Sequence, residues 1–319
     1  MTALTADDIL TVLRLQATRG IGVRTLGRIL DDCIRRESSP AELIRLEVDE
    51  FATRYQLARE LAHEFQTSAE LVEPLWRELR DRSIHVLMRG WPAYPQQLLV
   101  AMGGDAPPVL FAMGNTQLLT RPAVGFCGSR KASDRGLAIT QECAHFMASG
   151  GMNVVSGYAH GVDLAAHRAA LEAGGTTTLV LAEGILHFRV KTALQDLADE
   201  TNSVAVSEFA PSIPWSGRNA MARNRTICGL SSVMILVEAG AAGGTFECGK
   251  AALEQKCPLF VVEYAQPPDS AVGNAFFLNH GARALRRSAA GDASMDAVIA
   301  AASAPVSERW GGEEAKTLF

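Results

Sequence analysis

Between residues 123 and 263 six short apolar runs recur: AVGFCG, MNVVSG, TTTLVLA, SVAVSE, SVMILVE and PLFVVE. Each is too short for a core helix and is bounded by glycine, serine, proline or an acid. Amphipathic stretches separate them, such as RGLAITQECAHFMASG, VDLAAHRAALEAG and TFECGKAALEQK. A strand that is apolar on both faces must be covered on both faces, and crossover helices between parallel neighbours supply that cover. The alternation therefore predicts an α/β fold around a mostly parallel sheet. In such sheets ligands sit outside the carboxyl ends of the strands, so the residues after each run are the ones to read for function.

The first eighty residues have a different character. TADDILTVLRLQATRG offers a cap at Thr5, acids in its first turn and apolar Ile9, Leu10 and Leu13 on one face, which predicts a helix. GIGVRTLGRILDDCIRR is similar to the turn and second helix of a helix-hairpin-helix, in which Gly20 and Gly22 let the backbone approach a phosphate. A plain corner with a glycine cap reads equally from the same residues. We divide the chain into a helical domain (1–80), an α/β domain (81–290) and a C-terminal helix with a loose tail (291–319).

Composition narrows the function classes. The net charge of −5 excludes a global basic field, so any polyanion site has to be a local patch. The six cysteines contain no C-x-x-C pair and point to reduced, partly buried thiols, with no metal or cofactor expected. The N-terminus has acids where a signal peptide has cations, and no apolar run approaches a membrane span. A cytoplasmic protein without a membrane partner is the expectation.

The strand ends converge on one chemistry. After the first run come Gly128, Ser129, Arg130 and Lys131, small residues that open backbone N–H groups to an anion at a helix start. After the second come Ser156 and Gly157, with Asp163 and His167 four residues apart on one helix face. That pair reads as a structural hydrogen-bonding set as readily as a site. No acid occurs between Glu208 and Glu238, whereas Arg218, Arg223, Asn224 and Arg225 do, with Trp215 beside them. Arginines interleaved with an aromatic suit a phosphodiester and a stacked base; a solvated basic loop is the bland alternative. Gly243, Gly244 and Thr245 then precede a helix carrying Glu247 and Lys250. Several such ends together predict a phosphate-bearing ligand.

The order of these blocks resembles the DNA-processing protein A (DprA, or Smf) family. YPQQLLVAMGGDAPPVLFAMGN, VGFCGSRKASDRG, VVSGYAHGVDLAAHRAALEAGG, VSEFAP, ARNRTICGLSSVMILVEA and GNAFFLNHGARAL follow one another within roughly residues 85–287. The resemblance implies an extended Rossmann-like, mostly parallel sheet with a small N-terminal helical domain. It also implies a homodimer that binds and protects single-stranded DNA, helps load a RecA-type recombinase in transformation or recombination, and needs no catalysis. The family's basic pocket maps onto Ser129, Arg130 and the Arg223–Asn224–Arg225 block. Departures are Met221 and Ala222 before the arginines, EGILHFRVK where a tyrosine–proline is usual, and AGGTFEC in the loop before the helix of Glu247. AGGTFE is also similar to the loop of nucleotide phosphoribohydrolases, with Glu247 as the alternative catalytic residue. A nucleotide-binding or nucleotide-hydrolysing protein is thus the competing expectation.

Overall fold

The computed structural model describes residues 3–286 and 293–304. It divides into two compact units, Met1–Tyr94 with Gly104–Ala112, and Pro95–Gly103 with the chain from Met113 onward. The division expected at residue 80 differs from this one by assigning the strands near residues 84 and 109 to the second domain. The tail expected to be loose lies mostly outside the described residues.

The first unit holds α1 (Ala6–Ala17), α2 (Val23–Arg35), α3 (Val48–Tyr55), α4 (Arg59–Thr67) and α5 (Ala69–Asp81), followed by β1 (Ile84–Met88) and the first four residues of β2 (Val109–Gly114). The cap read at Thr5 forms a reciprocal box: Thr5 N–H donates to Asp8 Oδ2 at 2.9 Å and Asp8 N–H donates to Thr5 Oγ1 at 3.2 Å. Phe51 stacks on Phe65 at 4.7 Å in the helical core. Arg89 is buried yet fully engaged: Nη2 lies 2.8 Å from both Asp31 oxygens, and Nη1 donates to the Gly104 and Ala106 carbonyls.

The second unit opens with α6 (Gln96–Met102) and then alternates strand and helix. Its elements are β3 (Ala123–Cys127), α7 (Asp134–Ser149), β4 (Asn153–Ser156), α8 (Val162–Glu172), β5 (Thr177–Val180), β6 (Ser203–Ser207), α9 (Gly217–Leu230), β7 (Val233–Leu236), α10 (Gly244–Glu254), β8 (Leu259–Val262), α11 (Asn274–Asn279), β9 (Arg283–Leu285) and α12 (Asp296–Ser303). The six apolar runs are thus β3 to β8. Strand order is β6-β5-β4-β3-β7-β8-β9, with every pair from β6 to β9 parallel. Val124 pairs with Val154 on one side and Val233 on the other.

Alternation along β3 shows why both faces are covered. Val124 and Phe126 enter a core with Ile139 and Met147 of α7, Ala166 and Ala170 of α8, and Val298 of α12. Gly125 and Cys127 face the other way: a Cβ on Gly125 would lie 2.3 Å from Ser231 Oγ, at the end of α9. A Cβ on Gly229 would lie 2.5 Å from Leu98 Cδ1, so that glycine lets α6 close on α9. From β3 the chain winds outward to β6, then returns to β7 on the other side. Such a reversal opens a crevice at the carboxyl ends of β3 and β7.

Candidate nucleic-acid interface

That crevice is a cavity of about 480 Å3. Gly128, Ser129 and Arg130 after β3, Ala159 and Asp163 after β4, one face of α9, and Gly240, Ala242, Gly244 and Thr245 after β7 form its wall. The α9 residues are Gly217, Ala220, Met221, Arg223, Asn224 and Ile227, at the three-to-four spacing of a helix face.

Close backbone contacts fix the loops. Gly161 has φ +76°, and a Cβ there would lie 2.3 Å from the Ser129 carbonyl oxygen. Only glycine fits that combination without moving the β3–α7 loop. A Cβ on Gly128 would lie 2.4 Å from Val162 Cγ2, so the two loops seat on each other at both ends. Behind them Glu238, fully buried at the end of β7, accepts from Ser133 N–H at 2.9 Å, from Tyr264 Oη at 3.1 Å and from Ser270 Oγ at 2.6 Å. Ser133 caps α7, so this buried carboxylate holds the β3–α7 loop from behind.

The β4–α8 loop is held by Asp163 and His167. Asp163 accepts from Ser156 Oγ at 3.0 Å and from Ala159 N–H at 3.2 Å. His167 is fully buried, with Nε2 2.5 Å from the Gly157 carbonyl and Nδ1 2.6 Å from Thr177 Oγ1. A carbonyl only accepts, so Nε2 carries the proton; in the neutral ring Nδ1 then accepts from the threonine hydroxyl, which shares its single proton with the Val154 carbonyl 2.8 Å away. Burial drives the imidazole pKa down to about 4, against the hydrogen bond to Gly157, and keeps the ring neutral. The pair is a structural brace.

Arg223 is 6% exposed, and its Nε and Nη1 are buried with no hydrogen-bond partner among the described residues. Its guanidinium occupies the space above Gly157, where a Cβ would lie 1.7 Å from Nη1. Arg89, equally buried, spends its donors on a carboxylate and two carbonyls; Arg223 does not. At the cavity mouth Trp215 is 54% exposed, with the Arg130 guanidinium 5.6 Å from its ring centroid. Exposed Met221 extends the apolar surface.

A second cavity of about 310 Å3 adjoins the first. It shares Arg130, Ala159, Trp215 and Arg223, and adds His160, His187, Arg189 and Lys191. Lys191 lies 4.2 Å from the Tyr158 ring centroid and donates to the Tyr158 carbonyl at 2.5 Å. Burial lowers its pKa, and Arg130 and Arg223 add to the effect against Asp163 and Glu183. A chain of net charge −5 thus gathers Arg130, Arg189, Lys191 and Arg223 around two adjoining hollows, against the two acids Asp163 and Glu183 in their walls.

The structure brings together Gly128, Ser129, Arg130, Arg223, Asn224, Gly244 and Thr245 of the residues read from the sequence. Asn224 donates to the Gly244 carbonyl at 2.9 Å, tying α9 to the β7–α10 loop. Gly157 lies beneath Arg223, and Gly243, with φ +100°, caps α10 beside the cavity. Ser156 is fully buried, its hydroxyl 2.7 Å from the Phe126 carbonyl, so it holds the scaffold and does not face the cavity. Lys131, Arg218 and Arg225 are exposed and stand outside the cavity lining. Lys250 pairs with Glu247 at 2.7 Å, and neither side chain is among the residues that line the cavity. Among the described residues no cluster of histidine, cysteine, aspartate or glutamate can hold a metal ion, and no helix is long and apolar enough to cross a membrane. The sequence reading missed Arg189 and Lys191, whose signal was two cations in the irregular EGILHFRVK segment after β5.

Comparison with known proteins places these features in context. Residues 85–293 match the model of a family described as DNA recombination-mediator protein A. Protein Smf of Escherichia coli is 32% identical over 186 residues, covering 58% of this chain and 49% of its own length. DNA processing protein DprA of Streptococcus pneumoniae is 35% identical over 160 residues, covering 50% of this chain and 56% of its own length. The chain therefore matches about half the length of each of these relatives. The crystal structure of the Streptococcus pneumoniae protein superposes with a TM-score of 0.71 at 23% identity, over 89% of this chain and 95% of that one, which supports the fold. A structure of DNA processing protein A from Helicobacter pylori, described for its single-stranded DNA binding mode, gives 0.54 at 26% identity, over 63% and 90%.

Proposed function

Because the chain belongs to the DNA recombination-mediator protein A family, we propose that its two adjoining cavities bind single-stranded DNA. The observation that carries the reading is Arg223. A buried donor without a partner costs about 1–3 kcal/mol, and more when charged. Such a group is retained where a ligand supplies the acceptor, and a phosphate oxygen entering between Arg130 and Arg223 does so. The exposed Trp215 at their shared wall offers a face to an unpaired base, which a duplex keeps stacked inside itself.

In this reading Gly128, Ser129, Arg130, Arg223, Gly244 and Thr245 form the phosphate-binding wall, with Arg189 and Lys191 continuing it. Lys131, Arg218 and Arg225 act at longer range, Gly243 shapes the turn into α10, and Lys250 stays paired with Glu247. The protein shields cytoplasmic single strands as a homodimer and passes them to a RecA-type recombinase, without a catalytic step. The test is fluorescence anisotropy of a labelled oligothymidylate across a salt series, with duplex and nucleoside monophosphate as competitors. Binding at low salt that resists both competitors, with log K falling by about 0.7 per contacted phosphate for each unit of log salt, is expected. Absence of binding at low salt, or equal displacement by duplex, refutes the reading. Displacement by the mononucleotide alone would move the function to a nucleotide pocket.

A further inference from the structure

The two hollows differ in charge, and the difference bears on which part of a strand each one takes. Arg130 and Arg223 belong to both. The larger hollow sets Asp163 against them, a formal charge of +1, and that carboxylate already accepts from Ser156 and Ala159. The smaller adds Arg189 and Lys191 and sets Glu183 against the four cations, a formal charge of +3 with histidine counted as neutral. The larger, about 480 Å3, has Met221 and Ile227 in its wall and suits a nucleoside; the smaller, about 310 Å3, puts more cations in less space.

The added cations are held in place. Tyr158 Oη accepts from Lys191 N–H at 2.6 Å and donates to the Arg189 carbonyl at 3.2 Å, so one phenol staples the segment that carries both. Arg189 Nη1 donates to the Phe188 carbonyl at 2.6 Å and the Leu186 carbonyl at 3.0 Å, which fixes the guanidinium by one of its nitrogens. Lys191 Nζ spends one of its three protons on the Tyr158 carbonyl. Arg223 has Nε and Nη1 buried without a partner among the described residues. Charge and donors both exceed what a phosphate inside a strand can use. A phosphodiester brings one negative charge and two unesterified oxygens. A terminal phosphate brings close to two charges at neutral pH and three such oxygens.

Resting on the single-strand reading above, we propose that the smaller hollow takes the phosphate at a strand end, with the adjoining nucleoside in the larger one. The group recognised is a phosphomonoester dianion, and the protein thereby distinguishes phosphorylated strand ends from hydroxyl ends. Arg189 and Lys191 supply the discrimination, because they are the cations that the larger hollow lacks.

Unlabelled tetrathymidylates compete with an internally labelled oligothymidylate for the full chain at low salt and about pH 7.5, followed by fluorescence anisotropy. One carries a 5′-phosphate, one a 3′-phosphate and one hydroxyls at both ends. Two more carry the methyl ester of either phosphate, a monoanion of nearly the same size. The phosphate at one end, and not at the other, should strengthen competition at least about tenfold over the hydroxyl strand, and its methyl ester should lose most of that gain. Arg189→Gln and Lys191→Gln should each bring the ratio of phosphorylated to hydroxyl strand toward one. Equal gains from both phosphates mean attraction by the general field, and a methyl ester that keeps the full gain means size and not charge; either result overturns the proposal. Equal competition by phosphorylated and hydroxyl strands also overturns it, while leaving single-strand binding intact. If no strand binds, that reading of the cavities falls as well. The comparison among strands uses the unaltered protein, so it decides even where a variant fails to fold.

Discussion

Acidification should weaken this protein through His167, by an amount the structure allows one to work out. The imidazole titrates at about 4 in the folded chain, against an ordinary value of 6.5, because it is fully buried between Gly157 and Thr177. As pH falls through 6.5 the unfolded chain takes up the proton first. The stabilising difference is therefore complete above about pH 6.5, is lost progressively as pH drops, and is gone near pH 4. A separation of 2.5 units at about 1.36 kcal/mol each amounts to about 3 kcal/mol. That is a large part of the roughly 5–15 kcal/mol that holds a typical domain together. Urea unfolding at pH 7, 6, 5 and 4, at constant ionic strength, measures it. The comparison is with His167→Gln, which starts less stable at pH 7 but lacks the titrating ring. Carboxylates titrate in both chains, so the wild type should lose about 3 kcal/mol more than the variant across that interval. Parallel pH profiles would refute the assignment of a neutral, Nε2-protonated brace.

Four other outcomes are expected. Arg130→Ala and Arg223→Ala should each flatten the salt dependence of oligothymidylate affinity by about 0.7, measured by anisotropy. Lys250→Ala should leave it within error, since that ammonium is engaged by Glu247 outside the cavity lining. Trp215→Ala should cost about 1–3 kcal/mol of binding with little dependence on base identity, read by titration with homopolymers of different bases. Gly161→Ala should destabilise the fold by about 2–4 kcal/mol in urea, because it adds a Cβ at positive φ against the Ser129 carbonyl.

The strands were legible because a strand buried on both faces has to be mostly apolar, and β3 to β8 are, with buried exceptions such as Asn153 and Thr177 hydrogen-bonded inside the sheet. The cavity-lining loops followed, since they lie at the carboxyl ends of such strands. The arginine block was harder. Read as one basic stretch, it hid the helix that splits it: on α9, Arg223 and Asn224 face the cavity whereas Arg218 and Arg225 face outward. The spacing of Gly217, Ala220, Met221, Asn224 and Ile227 carried that information. Ser156 shows the opposite error, because a hydroxyl at a strand end serves either a ligand or the sheet, and here it meets the Phe126 carbonyl of the neighbouring strand.

The wall of Arg130, Trp215 and Arg223 common to both cavities has a consequence for ligand length. On the proposed function, a mononucleotide would fill one hollow, whereas a strand long enough to enter both would turn the second encounter into an intramolecular one. Affinity should therefore climb steeply over the first few nucleotides and then level off, so that free nucleotides, however abundant, make poor competitors for a polymer.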